Sequence, residues 1–168
     1  MLKAPILQPP TVRDYIAFEE HASAHYTRDM QSPRMEVWAR LPIFYFSTPL
    51  RIFGPDAEIP FPSASKQLDY ECELAAIIGR EAINVLEQQA DACIAGFTIF
   101  NDWSARDVQA DESEFGLGPA KGKGAASSLG LWIVTADEIA ANIAMAPSTW
   151  IARCGSTGSC GWTATPGT

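Results

Sequence analysis

The stretch Leu68 to Gly79, LDYECELAAIIG, constrains this chain more than any other. Aromatic and branched residues, an Ala/Ile run and a terminal glycine predict a buried strand. Side chains in a strand alternate faces, so Glu71 and Glu73 share one face and Cys72 takes the other. Two strand residues span roughly 6.6 to 6.8 Å, close enough for two carboxylates to converge on one cation. An unpaired buried carboxylate is expensive, so buried acids are paired or bound to metal. Oxygen donors alone suit a hard ion such as Mg²⁺, Ca²⁺ or Mn²⁺. The plainer alternative is a half-exposed strand whose glutamates face water. The apolar run after Glu73 argues against that alternative.

A second apolar run, IAGFTIF, is also of strand type and is expected to end at Asn101-Asp102, with a turn or helix from Trp103. At such a junction Asp102 is read first as a helix cap or Asx turn. Beside Glu71 and Glu73 it is also a candidate third carboxylate. Upstream, from Thr11, Val12, Tyr15, Ile16, Phe18 and Ala22 supply the apolar positions of an expected helix. Asp14 and His21 lie seven residues apart, two turns along one face of it.

YECELAAIIG, followed by GFTIFNDWSARDVQ and later by GPAKGKGAASSLGLW, resembles the fumarylacetoacetate hydrolase family. The resemblance covers roughly Thr11 to Asn142. It implies an α+β fold, a mixed β-roll of the fumarylacetoacetate hydrolase type, here incomplete at its C-terminus. On that basis residues 1–142 are the N-terminal and central part of a catalytic domain, and 143–168 are a non-matching, disordered tail. The resemblance also implies one divalent cation (Mg²⁺, Ca²⁺ or Mn²⁺) held by Asp14, Glu71, Glu73 and Asp102. His21 takes the place of the general base, to be oriented by a distant C-terminal glutamate. Ala24 stands where another branch of the family carries the Glu of a His-x-x-Glu dyad, so the chain is nearer the fumarylacetoacetase-like branch. Alignment to Trp132 places Lys123 against the bound substrate, and Arg106 and Gln109 match positions that face its carboxylate or oxo groups. Arg suits a carboxylate because its planar fork engages both oxygens. A local pair of Arg106 with Asp107 or Asp111 is the competing reading. The implied reaction is hydrolysis of a carbon–carbon bond in a small 1,3-diketo acid, with a homodimer for a full-length version. A hydratase, decarboxylase or tautomerase on the same fold, or a non-catalytic fragment, are the rivals.

Composition limits the partners. Apolar residues make up 47% and charged residues 19%, which is globular. A formal charge of −8 argues against nucleic acid, whose phosphates demand a basic surface. It leaves room for a small anionic oxo acid, because a local cation and a few basic side chains can reverse the field. No apolar run reaches the roughly 18 residues of a membrane span, and no signal-peptide pattern opens the chain, so a cytoplasmic location is expected. The glycine- and lysine-rich GPAKGKG lacks the Walker spacing of a phosphate cradle. Three connecting segments carry further expectations: a surface loop over 27–36, an amphipathic helix over Glu81 to Ala92, and a flexible entrance loop over Asp111 to Gly118. The 168-residue chain by itself is expected to be inactive, with an exposed sheet face.

Overall fold

The computed structural model describes residues 2–26, 32–145, 149–154 and 160–165. It is an α+β chain organised around one long strand. In order, the elements are β1 (Val12–Tyr15), α1 (Glu19–Tyr26), α2 (Pro33–Arg40), β2 (Phe44–Ser47), β3 (Ile52–Phe53), β4 (Leu68–Asp69) and β5 (Cys72–Ile78). There follow α3 (Glu87–Ala90), β6 (Ile94–Ala105), α4 (Arg106–Phe115), β7 (Ala126–Leu129), β8 (Val134–Thr135), α5 (Ala136–Met145), β9 (Thr149–Cys154) and β10 (Cys160–Thr165). Branched and aromatic residues dominate β6, and it pairs with four strands. One edge binds β5 and β4, and the other binds β7 and β8, all antiparallel. The parallel pair β3–β7 makes the sheet mixed. A separate two-stranded sheet joins β1 and β2, with Asp14 opposite Tyr45. Phe100 and Leu129, paired across β6 and β7, form a small core with Ala4. Ile6, Val12, Ile52 and Ala75 pack around it.

Several sequence expectations are corrected here. The segment from Thr11 is strand β1 and then a short helix, so Asp14 and His21 do not share a helix face. The strand of Leu68 to Gly79 is broken at Tyr70-Glu71 into β4 and β5, and Leu74 and Ile78 are 53% and 59% exposed. Strand β6 does not stop at Asp102. It continues to Ala105, because the ladder to β7 holds Asp102 opposite Ser127 and Trp103 opposite Ala126. Asp102 is therefore a mid-strand residue and not a cap. Of the loop expected over 27–36, residues 32–36 belong to α2 and its cap, Ser32 Oγ accepting from Met35 N–H, while 27–31 lie outside the described residues. The helix expected over Glu81 to Ala92 shrinks to Glu87–Ala90 and one 3₁₀ turn, since its apolar residues Ile83, Val85 and Leu86 find no core and stay exposed. Residues 111–115 complete α4, which Gly116 closes in the left-handed conformation, donating its N–H to Glu112 O. The tail expected to be disordered contains the end of α5 and the antiparallel pair β9–β10. The aromatic and branched residues Trp150, Ile151, Trp162 and Thr163 favour that extended backbone. No helix among the described residues is long and apolar enough to cross a membrane.

Candidate metal centre

Pleat and register decide which side chains meet. Across an antiparallel ladder, directly opposed residues face the same side. Glu73 opposes Phe100 and Asp102 opposes Ser127, so Glu71, Glu73 and Asp102 line one face of the main sheet. Just ahead of β5, Glu71 is tied to β6 by its own carbonyl, which accepts from Asp102 N–H at 3.0 Å, and by its N–H, which donates to Asn101 Oδ1 at 3.1 Å. Asp14 arrives from β1. One carboxylate oxygen from each of Asp14, Glu71, Glu73 and Asp102 lies within 4.8 Å of the other three.

Tyr45 and Lys123 bind this group together. The Tyr45 hydroxyl lies 2.6 Å from both Asp14 Oδ2 and Asp102 Oδ2. One O–H donates once, so the second contact needs a proton on a carboxyl. Lys123, 2% exposed, reaches Glu71 Oε2 at 2.5 Å and Asp102 Oδ2 at 2.9 Å. Its ammonium also lies 5.7 Å from the centre of the Tyr45 ring. Burial opposes the charge on Lys123, but Asp102 and Glu71 raise its pKa above the ordinary lysine value. Arg106 spans Asp69 and Glu71 and donates to Gln109 Oε1 at 3.0 Å. It does not pair with Asp107, whose carboxylate instead accepts from Ser65 Oγ and Lys66 N–H.

The carboxyls answer this environment unequally. Burial, then the charges of Asp14, Asp102 and Glu71, push Glu73 up to about 10. Burial raises Asp102 to about 6 against the opposing pull of Lys123 and Tyr45, and Asp14 is raised chiefly by burial. Burial would raise Glu71 too, but Lys123 and Arg106 carry it below the ordinary carboxylate range. Burial and mutual repulsion therefore favour protons on Glu73 and Asp102, and a bound cation would supply positive charge in their place.

The residues fit such a cation. Asp102 is 0% exposed, and its Oδ1 has no hydrogen-bond partner among the described residues, which a ligand would relieve. Donor–ion distances of about 2.0 to 2.6 Å put opposed oxygens roughly 4 to 5 Å apart, the span the four carboxylates occupy. Any of the hard divalent ions suits the all-oxygen donor set.

The sequence points to Asp14, Glu71, Glu73, Asp102, Lys123, Arg106 and Gln109, and the structure brings these seven side chains into one connected group. His21 is exposed on α1. The side chain of His25 lies outside the described residues. Tyr45, Asp69 and Glu112 were missed. Tyr45 left a signal: in FYFS the alternation turns Tyr45 and Ser47 inward while Phe44 and Phe46 face out.

The profile of the fumarylacetoacetate (FAA) hydrolase C-terminal family matches residues 11–158, so the likeness continues beyond Asn142, where the motifs alone had ended it. Fumarylacetoacetase of Oryza sativa is 33% identical over 160 residues, 80% of this chain and 36% of the relative. A 5-carboxymethyl-2-hydroxymuconate delta-isomerase from Mycobacterium smegmatis is 31% identical with a TM-score of 0.59, over 80% of this chain and 49% of that one. A fumarylacetoacetate hydrolase from Exiguobacterium antarcticum is 28% identical with a TM-score of 0.58, over 80% of this chain and 46% of that one. The chain spans about a third to a half of the length of these relatives.

Proposed function

The chain belongs to the fumarylacetoacetate hydrolase family, and on that premise we propose that it carries the metal centre of a hydrolase acting on a carbon–carbon bond of a small 1,3-diketo acid, of the fumarylacetoacetate or acylpyruvate type. The observation that carries this reading is the convergence of the Asp14, Glu71, Glu73 and Asp102 carboxylates, with Asp102 Oδ1 buried and lacking a hydrogen-bond partner among the described residues. Asp14, Glu71, Glu73 and Asp102 would hold one divalent cation (Mg²⁺, Ca²⁺ or Mn²⁺). Such an ion polarises a carbonyl and favours negative charge on the substrate's oxygens.

The chain's own residues supply the rest. Lys123 presents a buried positive charge at the edge of the cluster, suited to charge that grows as the bond breaks. Arg106 and Gln109 face a carboxylate or oxo group. Arg106 would trade part of its contact with Asp69 or Glu71 for the substrate. His21 would take a proton from water as the water oxygen bonds to the carbonyl carbon. The carbon–carbon bond then breaks, its electron pair leaves as an enolate, and the proton ends on that carbon.

A second reading, a decarboxylase, hydratase or tautomerase of oxo acids, is favoured by the exposed position of His21 and by the isomerase among the relatives. Decarboxylation in particular needs no such base, because loss of carbon dioxide leaves its electron pair on the enolate without attack by water. The discriminating experiment takes a full-length protein bearing these residues and offers it an acylpyruvate and oxaloacetate. Hydrolysis that falls about 10²- to 10⁴-fold in His21→Ala, with His25→Ala near wild type, supports the hydrolase. Decarboxylation or tautomerisation indifferent to His21 supports the rival.

A further inference from the structure

Helix α4 carries Arg106, Gln109 and Glu112 at three-residue spacing along one side. The first two border the metal centre. Glu112 does something else: its Oε2 accepts from Ala120 N–H at 3.0 Å and Gly122 N–H at 2.8 Å, and its Oε1 accepts from Lys121 N–H at 2.8 Å. Successive amide hydrogens turned to one point form a cradle for an anion. Here a carboxylate of the same chain fills it. Burial would raise the pKa of Glu112, yet these three bonds hold it below the ordinary value.

The residue after the cradle is Lys123. Two further contacts fix the loop. Gly122 O accepts from Ala105 N–H at 2.8 Å, joining the loop to the end of β6. A Cβ at Gly122 would meet Gln109 Cα, Cβ and N at 2.8 Å, so the loop lies directly on the helix backbone. Clamped there, Lys123 can send its ammonium to Glu71 and Asp102.

We infer that Glu112 is the positioning residue for Lys123: its carboxylate fixes the 120–122 backbone on α4 and thereby aims the lysine into the carboxylate cluster. That this aim serves catalysis rests on the function proposed above. The clamp itself does not, and its test needs no cation.

The test is trace labelling of the metal-free protein with N-hydroxysuccinimide acetate, read by mass spectrometry at Lys123 and at exposed Lys121, with maleimide labelling of buried Cys93 alongside. In the wild type Lys123 should react far more slowly than Lys121. In Glu112→Gln the charge-assisted bonds are lost, and Lys123 labelling should rise by about tenfold or more relative to Lys121, while Cys93 stays protected. Glu112→Asp, which keeps the charge on a shorter arm, should fall between. An unchanged Lys123 rate in a folded Glu112→Gln protein would overturn the inference. So would Cys93 becoming reactive in step with Lys123, because that marks general loosening. Should Glu112→Gln not fold, the same two rates in Glu112→Asp decide.

Discussion

Removing the Tyr45 hydroxyl would separate two tasks that one atom performs, spacing Asp14 from Asp102 and sharing a proton with them. Tyr45→Phe keeps the ring beside Lys123 but removes the hydroxyl that both carboxyls contact. A hydrogen bond to a charged group contributes about 1.5 to 3 kcal/mol, so the metal-free variant should lose stability of that order in urea denaturation. The carboxyls make a second prediction, about pH. Glu73 at about 10 and Asp102 at about 6 both lie above their ordinary values of 4.5 and 3.8. Between those limits the folded chain binds more protons than the unfolded one, so stability falls as pH rises. Their contribution is complete below about pH 4 and is lost as pH climbs through 6 toward 10. The downward-shifted Glu71 acts in the opposite sense, but below its ordinary value of 4.5. The metal-free protein should therefore melt at a lower temperature at pH 8 than at pH 5. A Tm that rises over that range would contradict the assignment of stored protons.

At the scale of elements, the loop that carries Lys123 is held by shape as well as by charge. Gly122→Ala would drive a methyl group into the backbone of α4 at Gln109, where nothing flexible can yield. A loss of about 1 to 3 kcal/mol is expected, measured by chemical denaturation. How much of the site was legible also belongs to this scale. Period-two alternation alone put Glu71 and Glu73 on one face, and the apolar IAGFTIF run marked β6. Both signals are local, and they survive because β5 and β6 pair over seven residues of β5. The end of β6 is hidden in the sequence because Asn101-Asp102 has the chemistry of a turn, while the ladder to β7 that overrides it is a long-range contact. The apolar spacing around Asp14 fits a helix. The actual partner of Asp14, β2, lies some thirty residues away in sequence, beyond what local pattern can show. Glu112 was missed for the same reason. Its partners are backbone amides of a loop, and no residue type announces them.

Across the whole molecule, apolar surface stands open where a packed sheet would cover it. Leu74, Ile78 and Phe46 are exposed on strands, and Phe115, Leu117 and Trp132 on neighbouring segments. Open apolar faces favour association. The purified 168-residue chain should therefore self-associate at micromolar concentration in analytical ultracentrifugation, and Leu74→Glu with Ile78→Lys should shift it toward smaller species. A wild-type chain that stays monomeric, melts cooperatively and cleaves an acylpyruvate would overturn the expectation that it is inactive alone. The metal centre is independent of that outcome, since Asp14, Glu71, Glu73 and Asp102 all lie on described strands or just beside them. Calorimetric titration of the folded, chelator-treated chain with Mn²⁺ tests it most directly. One ion should bind per chain with release of protons at pH 7, and Glu73→Gln should weaken binding by about tenfold or more. A folded chain that takes up no Mn²⁺, or a Glu73→Gln variant that binds as the wild type does, would contradict the four-carboxylate site.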